Sequence, residues 1–97
     1  MAYQLVIQNE ATIEIQEAYE WYESKRIGLG NELVEEFEYC FSKIVDHPHN
    51  YSFHGRKKIY RRIKVNRFPY IVIYEIEDDK IIVTEAHNTW KKPKSKY

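Results

Sequence analysis

Ninety-seven residues, 43% hydrophobic and 15% aromatic, make one domain with a single small core. The lone Cys40 excludes an internal disulfide framework, and no apolar run is long enough to span a bilayer, so a cytoplasmic location is the default expectation. The formal charge of zero hides a division: residues 1–50 carry three Lys/Arg against ten Asp/Glu (net −7), and residues 51–97 carry twelve against five (net +7). Local potential depends on where charges lie, so the second half can present a basic face despite the neutral total.

Tyr3 to Ile7 reads as a short apolar strand. Asn9 can cap a helix, with Glu10, Glu14 and Glu17 near its positive end and Ala11, Ile15, Ala18 and Tyr22 at helical spacing on its buried stripe. Gly28-Leu29-Gly30 interrupts the run. A second helix is expected from about Asn31, with Leu33, Phe37, Cys40, Phe41 and Ile44 on one face and Pro48 marking its end. Two amphipathic helices joined by a short glycine turn form an antiparallel pair.

Beyond Asn50 the pattern changes to strands. Ile59, Ile63 and Val65 alternate with Tyr60, Arg62 and Lys64, which places Arg61 on the apolar side. Phe68 to Ile76 is a continuous apolar strand, Asp78-Asp79 suits a turn, and Ile81 to Ala86 makes the last strand. From Asn88 the chain is polar and lysine-rich, so residues 88–97 are expected to form a flexible basic tail of the single domain, 1–97. The order β-α-α-β-β-β predicts an α+β fold, an antiparallel sheet with the N-terminal helix hairpin on one face. The other face is then partly open and basic.

That face has the means to hold a polyanion. Arg62 and Lys64 project from one strand, Arg67 sits at the following turn, and His87 or Asn88 ends the last strand. Cleavage of RNA through its 2′-hydroxyl requires proton removal, charge stabilisation at phosphorus and a proton for the departing oxygen. Arg62, Lys64 and Arg67 fit the second task, and His87 fits a proton-transfer role. Tyr60, Trp90 and Tyr97 can stack on unpaired bases, and Arg61, Asn88 and Lys91 complete the candidate substrate-binding set. His47, His49 and His54 lie in a connection without a cysteine pair or acidic cluster, so no metal or other cofactor is expected. Gly28-Leu29-Gly30 lacks the Gly-Lys-Ser/Thr ending of a phosphate loop, and Cys40 reads as a core thiol.

Several motifs occur in one order: Ala18-Tyr19-Glu20-Trp21-Tyr22-Glu23, Gly28-Leu29-Gly30, His47-Pro48, Tyr60-Arg61-Arg62, Arg67-Phe68-Pro69-Tyr70 and Asn88-Thr89-Trp90-Lys91-Lys92-Pro93. Together they resemble the RelE/ParE superfamily of bacterial toxins from type II toxin–antitoxin, or plasmid stabilisation, modules. The resemblance covers nearly the whole chain and implies a toxin neutralised by a cognate antitoxin. RelE-like members are mRNA interferases, RNA-binding endoribonucleases that act at the ribosome, and ParE-like members poison DNA gyrase. It therefore implies ribosome and mRNA as partners, with gyrase, or the antitoxin alone, as the alternatives, and no membrane. RelE-like enzymes use strand-borne Lys/Arg residues, matched by Arg62 and Lys64, and a tyrosine near the C-terminus. Holding Thr89 and Pro93 in register puts Asn88 where the family has a closing histidine, with His87 one position early. On a regular strand that shift turns His87 toward the helices. The antitoxin segment is expected to be acidic and partly apolar, laid over the helix pair and the basic face.

Overall fold

Helix α1 (Asn9–Lys25) follows strand β1 (Gln4–Ile7) with only Gln8 between them. The Gln8 N–H donates to the Val83 carbonyl at 3.0 Å, so β1's pairing holds Gln8 extended at the helix cap. The helix accordingly starts at Asn9 itself. This computed structural model describes residues 2–92 together with 96 and 97.

Helix α2 (Leu29–Asp46) begins earlier than the sequence suggests, and its start is built from α1. Gly28 takes φ +89°, and the Glu23 carboxylate accepts the N–H groups of Gly28 (2.9 Å) and Gly30 (3.0 Å). Those are orphan donors of a helix start, satisfied here from the preceding helix. Gly30 also lets the helices approach closely: a Cβ there would lie 2.7 Å from Tyr19 Cδ1 and 2.8 Å from the Tyr19 carbonyl oxygen. His47 ends α2, and Pro48–Asn50 forms a single 3-10 turn.

Strands β2 (Phe53–His54), β3 (Tyr60–Lys64), β4 (Tyr70–Glu77) and β5 (Lys80–Asn88) complete a five-stranded sheet in the order β1-β5-β4-β3-β2. The expected α+β layering is present: the stripe Leu33, Phe37, Cys40 and Ile44 packs on Val65, Tyr70, Val72, Tyr74, Ile81 and Val83. The sheet itself is mixed, because β1 runs parallel to β5 with Gln4 opposite Lys80 and Ile7 opposite Val83. No tight turn links those two strands, so nothing local imposes an antiparallel sense. The added β2 is only two residues long, too short to leave a periodic trace.

One irregularity decides which residues face outward. Ile73 pairs with Glu85 but Tyr74 pairs with Val83, leaving Thr84 as an extra residue on β5. This β-bulge changes the alternation. Ile81 and Val83 face the helices before it and Ala86 does so after it, which turns Glu85 and His87 to the opposite, open face. Asn88, placed in the tail from sequence, closes β5; Pro93, Lys94 and Ser95 lie outside the described residues. Among the described residues no helix is long and apolar enough to cross a membrane.

Candidate active site on the open sheet face

Strand pairing places four polar side chains in two adjacent rows. Arg62 pairs with Ile73, which pairs with Glu85; Lys64 pairs with Ile71, which pairs with His87. Directly paired residues share a face, so Arg62, Lys64, Glu85 and His87 project together, two strand spacings or ~10 Å apart. The register concern raised by the sequence is thus resolved by the bulge: His87 stands on the cationic face, and Asn88 turns toward Tyr70.

Glu85 organises this face. It is 1% exposed, its Oε1 accepts the Tyr97 hydroxyl at 2.7 Å, and its Oε2 lies 3.2 Å from His87 Nδ1. A carboxylate on Nδ1 favours the proton there and leaves Nε2 as the ring nitrogen for exchange. The Tyr97 hydroxyl also lies 3.2 Å from Thr84 Oγ1, and its ring meets His54 and Tyr60 edge-on, with centroids 5.0 and 4.8 Å away. Burial and the neighbouring carboxylate push the Tyr97 phenol upward, which keeps it a protonated donor. His54 is held below its ordinary value, first by burial and then by the charges of Arg62 and His87, against the opposing pull of Glu85.

The remaining candidates lie elsewhere. Arg61 points to the helix side, donating to the carbonyls of Tyr51 (2.7 Å) and His49 (3.3 Å) over the Phe53 ring. Arg67, at φ +72°, is drawn to α2, 2.6 Å from Glu32 and 3.8 Å from Glu36, so it does not join Arg62 and Lys64. Hydrogen bonds from Arg67 first and then Arg26 hold the Glu32 carboxyl below the usual range. Asn88 Oδ1 accepts the Trp90 N–H at 2.9 Å. Trp90, 78% exposed, and Lys91 line a depression of about 520 Å³ between α1 and β5 that Glu85 and His87 also line, with Trp21, Tyr22 and Glu17 opposite. Cys40 is buried, its thiol pushed up to about 11 by desolvation and Glu36, as suits a core residue. Among the described residues no three His, Cys, Asp or Glu side chains are grouped to hold a metal ion.

Sequence reading missed Glu85, Thr84 and His54 as parts of this face. A trace of it existed: Ile81, Val83 and Ala86 break strict alternation, and a carboxylate interrupts an apolar strand. His54 left no such trace, because only the pairing of β2 with β3 brings it beside Tyr60.

The profile of the family described as the ParE toxin of the type II toxin-antitoxin system, parDE, matches residues 5–85. Sequence comparison with curated proteins finds no significant match. Among solved structures, the chromosomal ParDE toxin–antitoxin system from P. aeruginosa superposes with a TM-score of 0.75 at 12% identity, over 90% of this chain and 96% of that one. The YoeB dimer from Staphylococcus aureus superposes with a TM-score of 0.63 at 10% identity, over 89% and 95%. At such identities the likeness to the solved structures is one of fold.

Proposed function

The chain belongs to the ParE toxin family of type II toxin–antitoxin systems, and from the side chains gathered on its open sheet face we propose that it is a cytoplasmic toxin that stops translation by cutting mRNA on the ribosome. A cognate antitoxin restrains it. The observation that carries this reading is that the Thr84 bulge turns Glu85 and His87 to the sheet face that already bears Arg62 and Lys64. Arg62 and Lys64, both exposed, bind the scissile phosphate and stabilise its developing charge. His87, oriented through Nδ1 by Glu85, takes the 2′-hydroxyl proton at Nε2 as that oxygen bonds to phosphorus and the bond to the 5′-oxygen breaks, and the imidazolium returns the proton to the departing 5′-oxygen. Tyr60 supplies a ring beside them. Arg67 is given no part, because Glu32 and Glu36 already neutralise it.

Induction followed by primer extension of a reporter mRNA tests the proposal. Wild-type protein is expected to create new 5′ ends; His87→Gln is expected to cut at least ~100-fold more slowly and Arg62→Ala by a comparable factor. Growth arrest without new 5′ ends overturns it. The second reading, a gyrase poison, then takes over; it draws support from the parDE description of the matching family and from the near-complete burial of His87. Its own check is accumulation of gyrase cleavage complexes with purified toxin.

A further inference from the structure

Tyr97 fills a slot shaped for a flat ring. Its walls are the rings of His54 and Tyr60, met edge-on at 75° and 80°. Its floor is the carboxylate of Glu85, 1% exposed, with the hydroxyl of Thr84, 5% exposed. Its rim is Gly55, where any Cβ would overlap the Tyr97 carbonyl oxygen, and the Arg56 N–H donates to that same oxygen at 2.8 Å. Beside the slot stands Arg62, on the same face as Glu85, with its Nη1 on the Phe53 carbonyl at 2.7 Å. A buried carboxylate at the bottom of an aromatic-walled slot, with a guanidinium alongside, is more than a hydrophobic clasp for one phenol requires.

We propose that this slot is a nucleobase site, occupied in the free protein by Tyr97, and that its floor selects bases with N–H donors on the pairing edge, guanine foremost. The inference rests on the RNA reading above. Aromatic walls bind any base through its ring, so they contribute affinity without choice. Choice comes from the floor. Tyr97 shows the chemistry the floor accepts: a planar ring carrying a donor, whose hydrogen goes to Glu85 Oε1. Guanine presents adjacent N1–H and N2–H donors to a carboxylate. Uracil presents one N–H flanked by two carbonyl oxygens, which the carboxylate repels. Arg62 is then placed for the phosphate of the bound nucleotide. Tyr97 and the base compete for one volume, so the free protein is self-restrained.

The test uses the full chain and two probes, GMP and UMP, titrated and followed by amide chemical shifts. Tyr97→Ala is expected to bind GMP about tenfold more tightly than wild type, with at least about a fivefold preference over UMP. Adding Glu85→Gln to Tyr97→Ala is expected to bring GMP down to the level of UMP. Deletion of Tyr97 empties the slot without altering its walls, so it must reproduce the gain if Tyr97→Ala folds poorly. No gain in GMP affinity in either variant overturns the proposal, as does an equal gain for GMP and UMP. New 5′ ends without a guanine-selective gain would sink the slot and leave mRNA cleavage standing. A selective gain without new 5′ ends would do the reverse.

Discussion

Arg61 and Arg62 are adjacent in sequence and divided by the pleat. Alternation along β3 sends Arg61 to the helix side, where its guanidinium ties the carbonyls of His49 and Tyr51 and lies 4.1 Å from the Phe53 ring centroid. Arg62 goes to the open face, exposed, with one bond to the Phe53 carbonyl. Truncating Arg61 leaves carbonyls of the connection between α2 and β3 without their donor, so Arg61→Ala should lower unfolding free energy by about 1–2 kcal/mol in urea denaturation. Arg62→Ala should stay within about 0.5 kcal/mol of wild type while abolishing growth arrest on induction. Equal destabilisation by the two would remove the distinction between strut and site. This division was legible in the sequence, since period-two alternation alone puts Arg61 on the apolar side. The fate of Arg67 was not, because its partner Glu32 lies 35 positions away and is reached only when the β3–β4 turn folds against α2.

At the scale of elements, the helix hairpin and the bulge contrast in how much they reveal beforehand. Apolar spacing marks both helices, and Gly28-Leu29-Gly30 marks the turn. The cap of α2 stays hidden because its carboxylate, Glu23, comes from the previous helix rather than the usual capping position. Gly30 is the point where that hairpin is tightest. A methyl there meets the Tyr19 ring and, at 2.8 Å, the Tyr19 backbone oxygen, which cannot rotate away. Gly30→Ala should therefore cost about 1–3 kcal/mol despite alanine's better helix propensity. That cost corresponds to a fall of at least about 4 °C in melting temperature for a domain this size; an unchanged melting temperature would mean the helices separate without penalty. The bulge is harder to foresee. A single extra residue shifts every later side chain on the strand to the other face, yet it changes the composition of the strand not at all. The direction of β1 was hidden for a related reason, since strand sense is set by topology and not by the pattern of five residues.

Across the whole molecule the charge division becomes a spatial one. The acidic first half forms the helix layer, and its Glu32 and Glu36 take up Arg26 and Arg67. Arg62 and Lys64 form no ion pair with any other described residue and stand exposed on the sheet's far side. Membership in a toxin–antitoxin family implies an antitoxin partner. A partner segment that silences the open face has to answer this unneutralised charge, and an acidic segment does so while blocking phosphate access. Rim charges of this kind act chiefly on association, because they steer the encounter over distances comparable to the screening length. Reversal of both, Arg62→Glu with Lys64→Glu, should slow association with the cognate antitoxin by about tenfold or more at low ionic strength, measured by surface plasmon resonance. The loss should shrink as salt rises toward ~0.5 M, since screening removes the attraction in the wild type and the repulsion in the variant together. A rate and salt dependence equal to wild type would place the antitoxin off this face, leaving the helix layer and the groove beside Trp21 and Trp90 as its seat.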